Sequence, residues 1–230
     1  AAYKAGELLR SHFRSSFGVR EKSPANLVTE LDTRSEQLIL ELLGTAFPHI
    51  PALTEEQPPG SVTAAGERWV IDPLDGTTNY AHGYPCFGVS IALEQAGKTV
   101  LGVVYDVMLD QIYTAVAGQG AFVNGSSICV SQTASLNQAL LASGFPYTAW
   151  TDPDDNSAEW ARLLKKVVSL RSDGSAALDL CRVACGSLDC YWELDLEAWD
   201  TAAGALIVTE AGGQVTLADG GPFTPYRRSV

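Results

Sequence analysis

Apolar positions at the start of the chain recur at helical spacing. Ala5, Leu8, Leu9, His12 and Phe13 share one face and predict an amphipathic helix that begins at or before the first residue, so the natural protein is expected to extend upstream. No other metal-type residue stands at helical spacing beside His12, which therefore reads as a packed histidine. A second helix is predicted from near Thr29. It carries Leu38, Ile39, Leu42, Leu43 and Phe47 on its apolar side and stops before Pro48.

Beyond Trp69 the period shortens. Apolar runs at 87–93, 100–105, 112–116 and 121–123 are separated by turn signals at 95–98, 108–110, 118–120 and 124–125, which predicts an antiparallel meander. After Ser131, short apolar runs alternate with helical stretches at 139–143, 158–166, 167–170, 175–185, 188–194, 201–211 and 214–217, the pattern of an α/β half. The expected organisation is an α+β half over residues 1–130 and an α/β half over 131–230, with no linker, repeat or low-complexity stretch between them.

Composition narrows the class. A 46% hydrophobic and 18% charged chain of 230 residues is that of an ordinary globular protein. No apolar run approaches the roughly 20 residues that cross a bilayer, and no leader-like segment opens the chain, so a cytoplasmic location is expected. Against 15 basic residues stand 27 acidic ones, for a net charge of −12, which argues against nucleic-acid and membrane partners. An anionic substrate would need a local cation. The five cysteines, Cys86, Cys129, Cys181, Cys185 and Cys190, show no metal-finger spacing and read as buried reduced thiols.

Candidate chemistry concentrates in WVIDPLDGTTNY, residues 69–80. Asp72 and Asp75 lie three apart at a predicted strand end, with Pro73 stiffening the turn and Gly76 permitting close approach of the backbone. Two readings fit: a metal site beside a helix start near Thr77 whose free N–H groups take an anion, or an Asx-type turn that merely satisfies backbone donors. Further acids recur at Glu55 and Glu56 in ALTEEQ and at Asp200 in EAWDTAAGALIVTEAGG.

These residues resemble the magnesium-dependent inositol monophosphatases of the carbohydrate-phosphatase superfamily. The likeness rests on residues 69–80 and 199–213, with NLVTELD, LTEE, GSAALDLC and YWEL in the same order, and it spans almost the whole chain. It implies a layered α-β-α-β-α sandwich of the sugar-phosphatase type, with an antiparallel N-terminal sheet and a mixed C-terminal one. It also implies hydrolysis of a small phosphate monoester, most specifically myo-inositol monophosphate, by a homodimer with two or three Mg²⁺ per site. By the same resemblance Glu55, Asp72 and the Leu74 carbonyl hold one ion, and Asp72, Asp75 and Asp200 a second. Thr77 and Glu55 position and activate water, supported by Asp32, for which a capping box with Thr29 competes. Gly76 and Thr77 N–H groups would take the phosphate, Gly174, Ser175, Ala176, Glu193 and Asp200 would line the substrate pocket, and Lys22 matches a lysine near the metal waters.

Departures from the family pattern fall at Asn26, where an acid often stands, at Ser172-Asp173 in place of a basic residue, and at 227–230, where the chain stops before an expected closing helix. Fructose 1,6-bisphosphate, a 3′-phosphoadenosine nucleotide or histidinol phosphate are alternative substrates on the same scaffold, and a non-catalytic regulatory binding protein is an alternative of another class. No P-loop lysine motif and no Cys-x5-Arg nucleophile loop is present.

Overall fold

The computed structural model describes residues 1–23, 26–56 and 66–230. Helix α1 (Ala2–His12) buries Ala2, Ala5 and Leu9 as its periodicity predicts, and the half-buried His12 is packed, with Nδ1 2.9 Å from the Leu8 carbonyl. An antiparallel pair, β1 (Val19–Ser23) and β2 (Asn26–Thr29), precedes α2 (Glu30–Ala46). The periodicity gave no hint of this hairpin because β1 is exposed along its whole length and carries no apolar alternation.

Helix α2 corrects one expectation. Its buried residues are Leu31, Asp32, Ser35, Glu36 and Ile39, whereas Leu42 and Phe47 are exposed. The N-terminal half of the helix turns polar side chains inward, and Ser35 Oγ donates to the Pro73 carbonyl at 2.8 Å. An apolar-face argument misses such a surface because the acids that break the stripe are the ones facing the site.

The main sheet follows. β3 (Ala52–Thr54) pairs in parallel with β4 (Glu67–Asp75), and β5 (Gly88–Gln95), β6 (Lys98–Asp106), β7 (Gln111–Val116), β8 (Ala121–Val123) and β9 (Ser126–Ser127) complete the predicted meander. Between β4 and β5 runs α3 (Thr77–Ala81). In the β4–β5 ladder Asp72 faces Ser90 and Asp75 faces Gly88, so three steps on β4 match two on β5. That bulge contains Pro73, which has no N–H to give the ladder, and it frees the end of β4 from regular pairing.

The small sheet holds β10 (Leu140–Ser143) between β11 (Ser169–Arg171) and β12 (Cys190–Trp192), all parallel, and an isolated antiparallel bridge joins Leu194 to Ser229 beyond it. Helix α4 (Ser157–Leu163) lies outside this sheet, its Trp160 packing with Leu141, Leu170 and Trp192. Helices α5 (Ala176–Ala184) and α6 (Ala198–Glu210) fill the space between the two sheets, and α1 and α2 cover the other face of the large one. Layers therefore run α-β-α-β-α. Helix α6 approaches closely because a side chain on Gly102 of β6 would meet the Ala203 carbonyl oxygen at 2.7 Å, and Ala202, Ala203 and Gly204 are themselves small. One apolar core, including Val70, Ala92 and Val104 with Leu178, Ile207 and Val208, joins residues from both sides of Ser131.

Two expectations are corrected. The predicted strand at 214–217 makes only a single bridge, Thr216 to Pro222, and is otherwise irregular. All five cysteines are free, but only Cys86 and Cys181 are buried, while Cys129 and Cys190 are exposed. No helix among the described residues is long and apolar enough to cross a membrane.

Candidate active site

The ends of β3 and β4 and the first turn of α6 bring four acidic side chains together. Asp72 is 2% exposed, and burial, then the fields of Glu55, Asp75 and Asp200, push its carboxyl well above the usual range. Burial pushes Asp75 up to about 6, against hydrogen bonds from Ser175 and the backbone of Ala177. Glu55 rises to about 7, again from burial, with Lys22 opposing. Asp200 moves in the same direction for the same first cause, although its Oδ2 accepts the Glu197 N–H at 2.7 Å. Carboxylates with fields this strongly opposed to ionisation need either protons or cations.

Each acid has one oxygen committed to the fold. Asp72 Oδ1 accepts the Leu74 N–H at 2.9 Å, so the Asx turn is present after all. Asp75 Oδ2 caps the start of α5 through Ser175 Oγ and the Ala177 N–H, the latter at 2.9 Å. Asp200 completes a capping box with Glu197 at the start of α6. Glu55 Oε1 takes Lys22 Nζ at 2.8 Å, and the same ammonium reaches Glu56 Oε1 at 2.5 Å. Burial opposes the charge on Lys22, but the two glutamates prevail and raise its pKa. Among the described residues, the second oxygen of Asp72 and of Asp200 has no hydrogen-bond donor.

The candidate donors, Asp72, Asp75, Asp200, Glu55 and the Leu74 carbonyl, offer oxygen only, which suits Mg²⁺; among the described residues they do not close into a ready-made three-ligand site. Mg²⁺ keeps several waters and binds through one or two carboxylates, so a half-open arrangement of fixed carboxylates matches it better than an all-protein cage would. The Leu74 carbonyl accepts the Thr77 hydroxyl at 2.9 Å and keeps a second lone pair.

The two competing roles of Asp32 are divided between its oxygens. Oδ2 accepts from Thr29 N and Oγ1 at 2.8 and 2.6 Å, forming the capping box of α2. Oδ1 accepts from Thr77 Oγ1 at 2.8 Å. Thr77 opens α3 after Gly76, whose φ of +90° turns the chain directly beyond Asp75; a side chain there would meet the Cys86 carbonyl oxygen at 2.9 Å.

The loop before α5 is tied to this turn. Asn79 Nδ2 lies 2.8, 2.7 and 3.2 Å from the carbonyl oxygens of Cys86, Asp173 and Gly174, and Arg182 donates to Asp173 at 2.9 Å. Asp173, a departure from the family pattern, thus keeps the Gly174–Ser175–Ala176 segment anchored beside Asp75. Burial raises Glu193 to about 7; its Oε2 accepts the Tyr191 hydroxyl, and its charge contributes to the rise of Asp200. Sequence reasoning missed Tyr147. It is half exposed, and desolvation of the phenol, then the fields of Glu55, Asp200, Asp75 and Asp72, raise its pKa.

Fixed carboxylates, a hydroxyl wired to a buried aspartate and an anchored α5 loop fit the layered sandwich to one class of protein, a phosphatase acting as a phosphoric monoester hydrolase. The inositol monophosphatase family model matches residues 1–230, and the chain belongs to that family. It is 43% identical to inositol monophosphatase 2 of Solanum lycopersicum, over all of this chain and 89% of that one. It is 40% identical to Nus factor SuhB of Pasteurella multocida (strain Pm70), over 96% of this chain and 84% of that one. Among solved structures, the inositol monophosphatase of Anabaena (Nostoc) sp. PCC 7120 superposes with a TM-score of 0.88 at 41% identity, covering 97% of this chain and 83% of that one.

Proposed function

We propose that this phosphatase hydrolyses myo-inositol monophosphate with Mg²⁺, as the homodimer the family resemblance implies. The observation that carries the reading is the convergence of buried Asp72 and Asp75 with half-buried Asp200 and Glu55, each held by one oxygen, where desolvation opposes ionisation of all four and the fields of Glu55, Asp75 and Asp200 add to it at Asp72. Asp72, Asp75, Asp200, Glu55 and the Leu74 carbonyl would hold the ions. When bound, Mg²⁺ supplies Lewis-acid charge to the phosphoryl oxygens and makes water a better nucleophile at neutral pH.

The chain does the positioning. Thr77 has one hydroxyl proton, and the charged acceptor Asp32 Oδ1 at 2.8 Å competes for it better than the neutral Leu74 carbonyl at 2.9 Å. The lone pairs of Thr77 Oγ1 are then left to accept from an attacking water, and Glu55 can take the proton that the water releases. The Gly76 and Thr77 N–H groups would receive phosphate, while the 174–176 segment and Glu193 would receive the ring hydroxyls. Thr77→Ala is expected to lower kcat about a hundredfold with KM nearly unchanged, because orienting the water matters chiefly in the transition state. Thr77→Ser should retain most of the rate. An unchanged kcat in the alanine variant removes Thr77 from the mechanism.

The substrate is tested by kcat/KM with Mg²⁺ on myo-inositol 1-phosphate, fructose 1,6-bisphosphate, 3′-phosphoadenosine 5′-phosphate and histidinol phosphate. The inositol ester should lead the panel. A different leader reassigns the substrate, and phosphate release from none of them favours the regulatory-binding reading that the similarity to a Nus factor raises.

A further inference from the structure

We propose that Tyr191 and Gly144 together form the seat that aims Glu193, and that these two positioning residues set the preference for polyol phosphates over simple phosphate esters. The inference rests on the reading of Glu193 given above. On a strand, residues two apart share a face, so Tyr191 in β12 and Glu193 just beyond it point the same way. Tyr191 is 7% exposed and its hydroxyl donates to Glu193 Oε2. Burial and the Glu193 charge hold the phenol well above its ordinary pKa, so it remains a donor.

The opposite wall is a missing side chain. β12 runs parallel to β10 with Ser143 beside Trp192, so Gly144 comes next to Glu193. A Cβ on Gly144 would overlap the Glu193 carboxylate, which is the first group it would meet. Two further ties keep the wall and the acid in register. Asn156 Nδ2 donates to the Gly144 carbonyl at 2.6 Å while its Oδ1 accepts Trp192 Nε1 at 2.7 Å. The Glu193 backbone exchanges bonds of 3.2 and 3.1 Å with Val230.

With Oε2 held by the phenol, Oε1 is the oxygen left to accept from a ligand hydroxyl; among the described residues it has no hydrogen-bond donor. A carboxylate already held in its bound orientation loses less freedom on binding, and that saving reaches only substrates that present hydroxyls to it. A simple aryl phosphate presents none.

The test compares wild type, Tyr191→Phe, Gly144→Ala and Glu193→Ala on myo-inositol 1-phosphate and 4-nitrophenyl phosphate at saturating Mg²⁺, with the melting temperature of each variant measured alongside. Tyr191→Phe keeps the buried ring, and Gly144→Ala needs only the flexible end of Glu193 to move. Each should lower kcat/KM on the inositol ester about three- to tenfold, the worth of one hydrogen bond, and do so through KM. The aryl phosphate should change by less than about twofold under the same substitutions. Adding Tyr191→Phe to Glu193→Ala should cost nothing more on the inositol ester. If Glu193→Ala lowers the inositol rate but Tyr191→Phe does not, the seat is overturned and the reading of Glu193 stands. Equal losses on both substrates with a lowered melting temperature assign Tyr191 to packing and also overturn it. A Glu193→Ala variant that turns over the inositol ester like wild type overturns the reading of Glu193 and the inference together.

Discussion

Asp72→Asn should lose about three powers of ten or more in kcat while the protein remains folded. The amide keeps the acceptor oxygen that Asp72 Oδ1 offers to the Leu74 N–H at 2.9 Å, so the turn after the β4 bulge survives. What disappears is the charge at the centre of the cluster, the one carboxyl whose pKa is raised by Glu55, Asp75 and Asp200 together. Weakening cation capture there removes several kcal/mol of transition-state stabilisation, and each 1.36 kcal/mol or so is tenfold in rate. The metal-free variant should also melt higher than wild type, since one of the mutually repelling charges is gone. Asp200→Asn is expected chiefly to raise the Mg²⁺ requirement. Wild-type turnover by Asp72→Asn at ordinary Mg²⁺ would leave the Asx turn as the whole role of this residue.

The second large effect is on stability. In the metal-free protein Asp75 is raised from 3.8 to about 6 and Glu55 from 4.5 to about 7, both first by burial. A carboxyl raised in the folded state binds more protons there than in the unfolded chain. Its stabilising contribution is therefore full below the unfolded pKa and is lost as pH rises through the folded one. In EDTA the melting temperature should fall by several degrees between about pH 4 and pH 7–8, each kcal/mol of the linked cluster being worth about 2–4 °C in a chain of this size. Mg²⁺ replaces the protons as the compensating charge, so the rise in melting temperature that it causes should be larger at pH 8 than at pH 5. Thermal melts across pH with and without Mg²⁺ check this; a Mg²⁺ effect that shrinks as pH rises contradicts the assignment of these carboxylates to cation binding.

The parts of this architecture that were legible in the sequence are those in which one physical pattern dominates. Apolar runs broken by turn residues over 87–116 sufficed for the meander because α6 covers one face of those strands and α1 packs on the other, and the Asp-Pro-Leu-Asp-Gly run announced a special strand end because Pro73 cannot join a ladder. Elsewhere two demands act on the same residues. The first half of α2 has no clean apolar stripe because Asp32 and Ser35 face Thr77 and Pro73. The capping and Thr77-supporting readings of Asp32 looked like rivals only because a sequence does not show that a carboxylate's two oxygens can serve different partners. The pairing of Tyr191 with Glu193 was available from their spacing on a strand, but the contribution of Gly144 depends on the register between β12 and β10, which no local signal carries. Tyr147 likewise feels the fields of Glu55, Asp200, Asp75 and Asp72 only through the tertiary fold.

We propose that Asp72, Asp75, Asp200 and Glu55 hold the cations that drive phosphate-ester hydrolysis, and phosphate release from myo-inositol 1-phosphate by the purified protein tests this most directly when it is titrated with Mg²⁺, then treated with excess EDTA and finally resupplied with Mg²⁺. Turnover that saturates with Mg²⁺, stops on chelation and returns on resupply is the predicted result; turnover that continues at its full rate in excess EDTA would contradict the account.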